Sequence, residues 1–235
     1  MNRAYINAAN DFEKVERLII YFKTSNYLIN KDFQIAQNKI TELNNSLEIP
    51  YTNESNFDKE TLDINFYEMS LGSMMYIKTV DNFQNYFKEI LSEIVKIRPE
   101  ILKSKETEKL DFILSFNSRE EMINAIAEKK INSLFYLGIN DIKKYFSEKL
   151  NVEIFKDREY EINLIVKQRN LAVHNRSLIN KEFITEFPNE KDLTEGLSLK
   201  FDFTYVEKIN HILYSIINDI DKKLSQKYNL PILKF

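Results

Sequence analysis

Glycine and proline are nearly missing from this chain: three Gly and four Pro stand among 235 residues. Turn-rich architectures need those residues, because Gly enters left-handed backbone freely and Pro presets the turn dihedral. Their scarcity leaves long uninterrupted stretches on either side of Gly72, Gly138 and Gly196. Such stretches point to long helices joined by few loops. The length suffices for one large domain or two small ones, either with a buried core.

The apolar spacing points the same way. Tyr5, Ala9, Phe12, Val15, Leu18, Ile19 and Phe22 recur at intervals of three and four, which predicts a helix over residues 4–29. Phe33, Ala36, Ile40, Leu43 and Leu47 predict another, stopped by Pro50, and YTNESNFDKETLD reads as a loop. A long helix is expected from about Phe66 to Ile97, interrupted only at Gly72 and ended at Pro99. KSKETEKLDFILSFN fits either a short helix or a strand; with no neighbouring strand to pair with, a helix is expected.

Ser118 and Glu121 form a capping box for a helix carrying Met122, Ile123, Ile126, Ile131 and Leu134 and closing near Gly138. Asn140 is the expected N-cap of the next helix. A further helix covers about Arg158 to Asn175. After a polar connection containing Pro188 and Gly196, Thr204 and Glu207 form a second capping box, opening a helix that reaches nearly to Tyr228. The expected fold class is all-α, a helical bundle. The breaker region at Pro99 suggests an N-terminal helical region, 1–102, and a C-terminal helical domain, 103–235.

Several classes are disfavoured. With no cysteine there are no disulfides or thiolate metal sites, which fits a reducing, cytoplasmic compartment. The N-terminus is polar and charged, without the apolar stretch of a signal peptide. The longest apolar runs, such as RLIIYF and HILYSII, fall far short of the roughly 20 residues of a membrane span, so no membrane partner is expected. A net charge of −3 argues against a chain coated with nucleic-acid-binding cations. The balance reverses locally: between Lys156 and Lys181, Lys156, Arg158, Lys167, Arg169, Arg176 and Lys181 outnumber Asp157, Glu159 and Glu161.

That basic segment holds the string KQRNLAVHNRSL, Lys167 to Leu178, with His174, one of only two histidines. Arg169 is followed by polar Asn170, three apolar residues, His174 and Asn175, at the end of an apolar-periodic helix. A plain structural role fits these residues too. His174 would sit against the helix C-terminal dipole, Asn175 would cap the helix in left-handed conformation, and Arg169 would be a solvated or ion-paired surface group.

The longer pattern resembles the signature of the HEPN superfamily (higher eukaryotes and prokaryotes nucleotide-binding domains), in which an Arg and a polar residue precede a His at a helix end. The resemblance covers roughly residues 115–185, including NSREEMINAIAEKKINSLFYLGINDIKKYFSEKLNVEI and EINLIVKQRNLAVHNRSLINKEF, with the Thr204 helix as the closing element. Residues 1 to about 100 carry no such likeness. The resemblance implies metal-independent RNA cleavage by a homodimer acting as a toxin or antiphage (abortive-infection) effector, with an antitoxin or other defence-system protein as a further partner. Arg169, Asn170 and His174 then fall on the catalytic positions, with Asn175 following the His as in many relatives; Asn175, Arg176 and Lys167 are the expected substrate-binding residues.

The chemistry suits these residue types independently. RNA cleavage without a metal needs a base for the ribose 2′-OH proton and an acid for the leaving 5′-oxygen, and imidazole serves either near neutral pH. A planar guanidinium can stabilise the charge gathering on the attacked phosphate. Asn170 can hydrogen-bond a phosphate or fix an imidazole. On an unbroken helix, however, five residues turn about 500°, which leaves Arg169 and His174 roughly 140° apart. Asn170 and His174, four apart, share a face. Either the helix ends before His174, or a second chain completes the site, and a two-fold dimer is favoured.

The remaining polar groups carry less. His211 falls on the polar side of its helix and reads as solvent-facing. Most Tyr and Phe lie at core spacing. Glu120–Glu121 and Asp219–Asp221 lack a third ligand in helical reach, so no metal site is expected. No Gly-rich phosphate loop is present, and no cofactor is expected. A non-catalytic scaffold that dimerises and binds a partner protein, nucleotide or RNA is the second expectation.

Overall fold

The computed structural model describes residues 2–32, 34–35, 38–39, 42, 64–104, 107–191 and 193–231. These residues form eight α-helices and no strand: α1 (Arg3–Lys31), α2 (Ile64–Ile97), α3 (Leu110–Leu114), α4 (Arg119–Leu137), α5 (Ile139–Leu150), α6 (Glu159–His174), α7 (Lys181–Glu186) and α8 (Phe203–Tyr228), with a 3-10 turn at Pro99–Leu102. The helix expected on Phe33, Ala36, Ile40, Leu43 and Leu47, and the loop after it, lie outside the described residues.

Three long helices make the centre. α1 and α8 both pack on α2 and on each other. α1 buries Ala4, Tyr5, Ala8, Phe12, Val15 and Ile19, one stripe at helical spacing. α2 supplies Tyr76, Phe83, Phe87, Ile90 and Ile94, all fully buried, and each such side chain contributes roughly 1.5–3 kcal/mol by leaving water. One buried cluster joins residues from both sides of the 102/103 division, from Ala4 to Leu230. α4, α5 and α6 pack around this centre, with α4 and α6 against α2.

The cap of α1 ties the two ends of the chain together. Asn2 Oδ1 accepts from the Tyr5 N–H at 2.9 Å, and Glu93 Oε1 accepts from the Ala4 N–H at 2.9 Å. The Asn2 amide also donates to Asp221 and, at 3.0 Å, to Ser225 Oγ, both on α8. Tyr86 donates to the same Asp221 carboxylate at 3.2 Å. Burial raises the Asp221 pKa, opposed by these hydrogen bonds.

Several local expectations are revised. α2 runs straight through Gly72 instead of breaking there. Its glycine makes room for another segment: a Cβ at residue 72 would lie 1.6 Å from the Phe201 carbonyl oxygen. Phe201 crosses at that point and stacks on Tyr76, with centroids 4.3 Å apart. The capping box of α4 is shifted by one residue: Ser118 Oγ accepts from Glu121 N–H, but the Glu121 carboxylate accepts from the Asn117 N–H. Asn140 is not a cap, because Gly138 (φ 123°) turns the chain so sharply that α5 begins at Ile139 without a side-chain cap. α8 begins before Thr204, since Asp202 caps it by accepting from the Tyr205 N–H at 2.7 Å. The connection after His174 contains a helix of its own, α7, capped by Asn180 on the Phe183 N–H at 2.8 Å.

Candidate functional site

α6 is held to the centre by its polar side as well as its apolar one. Ile162, Ile165 and Val166 are buried. The Tyr76 hydroxyl lies 3.0 Å from the Ile165 carbonyl and 2.8 Å from Gln168 Oε1, and the Tyr205 hydroxyl donates to the same Gln168 oxygen at 2.7 Å. Both tyrosines are pushed above the ordinary phenol pKa, chiefly by burial. They therefore remain hydroxyl donors at neutral pH and fix the rotation of α6 just before the Arg169–His174 string.

The helix continues to His174 as its last residue, which removes the first of the two geometric alternatives. Asn175 caps it, but at φ −127° and not in left-handed conformation. The left-handed residues are Arg176 (φ 52°) and Ser177 (φ 63°). Two successive non-glycine residues there cost of order 1 kcal/mol or more each. The cost is offset by a dense set of bonds. Ser177 N–H and Asn175 N–H both reach the Leu171 carbonyl, at 3.0 and 2.9 Å, and the Asn175 amide donates to the Leu178 carbonyl at 2.7 Å. Leu199 N–H then donates to the Ser177 carbonyl at 2.8 Å, which couples the turn to the segment crossing Gly72.

α7 folds back beside α6. Leu171, Ile179, Phe183 and Phe187 make a second small core beneath it. Between the two helices lies a cleft of about 360 Å³, lined by Asn170, His174, Asn175, Asn180, Lys167, Glu182 and Glu186 among others. His174 is exposed at this cleft. The helix geometry thus brings Asn170 and His174 together, and Asn175 joins them.

Arg169 does not line the cleft. Its Nε and Nη2 pair with Asp81 Oδ1 on α2 at 3.0 and 2.7 Å, and its Nη1 donates to Asn170 Oδ1 at 3.2 Å. Asn170 is therefore the link between the guanidinium and the cleft. Lys167 lines the cleft but is already ion-paired, to Glu186 at 2.9 Å and Glu182 at 3.4 Å. Its pKa is raised, mainly by the Glu186 hydrogen bond. Arg176 is exposed in the left-handed turn. His211 is likewise exposed, 3.6 Å from Glu16 on α1.

Asp81, Gln168, Asn180, Glu182 and Glu186 were not singled out in the sequence. Asn180 had a readable signal, a cap-forming residue ahead of Phe183 and Phe187 at helical spacing. Asp81 had none, because it stands 88 positions from Arg169. Among the described residues no helix is long and apolar enough to cross a membrane. Comparison of the chain with protein-family models, curated proteins and solved structures found no match.

Proposed function

We propose that this chain is a metal-independent endoribonuclease of HEPN type, a dimeric cytoplasmic effector of the toxin or abortive-infection kind. The observation that carries the reading is the Asn170–His174 cleft at the end of α6, with the Arg169 guanidinium bonded to Asn170 at 3.2 Å. His174 takes the 2′-OH proton, and the freed oxygen attacks the adjacent phosphorus. The bond to the 5′-oxygen breaks, and that oxygen takes a proton from a second imidazole. The products are a 2′,3′-cyclic phosphate and a 5′-OH. His211 is the only other histidine of the chain and lines a different cavity, so the acid is His174 of a second copy, related by a two-fold axis. Asn170 orients the attacked phosphate, Arg169 acts on its charge once released from Asp81, and Asn175 and Arg176 contact the flanking backbone.

The ion pairs favour one further reading. Asp81 neutralises Arg169, and Glu182 with Glu186 neutralises Lys167, so two of the cations meant for phosphate already have carboxylate partners. A non-cutting scaffold that holds a partner protein, nucleotide or RNA needs neither cation free.

The discriminating experiment is incubation of wild type, His174→Ala and Arg169→Ala with tRNA, rRNA and a labelled single-stranded RNA in EDTA. Cleavage by the wild type alone, leaving cyclic phosphate ends, is expected, with losses of at least about 10²-fold in each variant. Equal cleavage by all three proteins sinks the assignment. No cleavage by any, with stoichiometric binding that survives both substitutions, selects the scaffold.

A further inference from the structure

A larger cavity lies elsewhere among the described residues. It holds about 860 Å³ between the Pro99–Leu102 turn and α4, and a second of about 450 Å³ adjoins it, sharing Pro99, Arg119 and Ile123. Four of its lining residues are apolar and only half-buried, Leu102, Met122, Ile123 and Ile126, among polar and charged neighbours. The cavity follows one stripe of α4 from Arg119 to Ser133, about 21 Å or four helical turns. α3 lies just beyond and has no buried residue at all. Its Leu110 and Leu114 are 67% and 72% exposed, and Ile97 at the end of α2 is 44% exposed. Scattered exposed apolar residues are ordinary, but a groove with an apolar stripe and an uncovered helix beside it marks an interaction site.

The rim has a sign. Lys96, Lys103, Arg119 and Lys129 face three acids, Glu100, Glu108 and Glu120. Glu108 is paired with Lys129, and Glu100 lies 3.6 Å from Arg98. The groove is therefore positive in a chain whose net charge is −3.

We infer that this groove docks an acidic amphipathic helix of a partner protein, its apolar stripe on Met122, Ile123 and Ile126 and its carboxylates on the basic rim. Four turns of groove length, an apolar stripe and a positive rim are the complement of such a helix. The inference does not depend on the ribonuclease reading.

The test uses the full chain and two labelled 16-residue helical peptides with the same apolar stripe, one flanked by Glu and the other by Lys, in a fluorescence-anisotropy titration. The Glu-flanked peptide is expected to bind at least tenfold more tightly. Ile126→Asp should weaken it at least tenfold. Arg119→Glu should weaken it about threefold and flatten its salt dependence; it leaves the fold intact because an acid is favoured in the first turn of a helix. Equal binding of the two peptides, or binding unchanged by both substitutions, overturns the inference. So does a concentration-dependent dimer that the peptide competes away and Ile126→Asp abolishes, which would give the groove to a second copy.

Discussion

At the start of α1, Asn2 and Asp221 are 1% and 6% exposed and bonded to each other, with Tyr86 and Ser225 completing the set. At the end of α6, Asn170 and Asn175 line an open cleft beside an exposed His174. The residue types are similar, but the surroundings are opposite. In the first place water is excluded, so an unmade bond would cost the full desolvation of the group, and every donor there has been given an acceptor. In the second, water or a ligand can complete the bonds. The Asn2–Asp221 cluster is closed to water, whereas the Asn170–His174 cleft stays open to it. The Gly72 crossing joins the two regions, since the segment at Phe201 runs from the α6 turn into α8.

The severest way to break the contrast is therefore at the crossing. Gly72→Ala puts a methyl group where the Phe201 carbonyl oxygen lies, 1.6 Å away, and neither helix nor crossing segment can give way cheaply. A loss of about 3 kcal/mol or more is expected by urea denaturation, beyond the ordinary cost of overpacking. The stabilising effect of Ala over Gly in a helix, near 1 kcal/mol, would be swamped. Because Leu199 is bonded to Ser177, the variant should also expose the α6 turn to hydrogen exchange. A protein as stable as wild type would show that the crossing is not tightly packed.

Asn2→Ala comes next and confines the damage to the buried junction. It removes the cap of α1, worth about 1 kcal/mol, and a hydrogen bond to a charged group, worth about 1.5–3 kcal/mol. A net loss of about 2.5–4 kcal/mol is expected, with the proposed RNA cleavage, measured per folded molecule, unchanged. Cleavage falling in step with the amide loss, at full folding, would mean the two clusters are coupled.

The same junction should respond to acid. Burial raises the folded pKa of Asp221 and, with help from the neighbouring Asp221 and Glu89 charges, that of Glu93. The folded chain then holds protons that the unfolded chain has released. The stabilisation is full below the unfolded pKa and is lost as pH rises through the folded one. Wild type should gain stability relative to Asp221→Asn as the pH is lowered through the carboxylate range, measured by paired urea titrations. A parallel pH dependence in the two proteins would place the titration at another group.

The contrast also explains what could be read from sequence. Helices α1, α2, α6 and α8 were legible because each has a long apolar stripe, and stripes survive whatever surrounds them. The caps were less so. Asp202 and Thr204 are both good cap residues, and the choice fell to Asp202 because Glu68 accepts the Phe203 N–H and Phe201 is pinned on Tyr76. The Arg169–His174 string was visible as local text. Its electrostatic partners were not, because Asp81, Glu182 and Glu186 reach it through tertiary packing.

Those partners make the mildest and most specific test. Glu182 and Glu186 hold the half-buried Lys167 from exposed positions on α7, so the pairs contribute little to stability, about 0–1 kcal/mol. Glu182→Gln with Glu186→Gln keeps the shape of α7 and frees the ammonium for a phosphate. The double variant should unfold within about 0.5 kcal/mol of wild type. It should bind a short single-stranded RNA about two- to fivefold more tightly at low salt, the range that exposed ion pairs span, with a steeper decline as salt is added. If affinity and salt dependence both stay as they were, Lys167 does not meet the backbone of the RNA, and the open cleft works through Asn170, Asn175 and His174 alone.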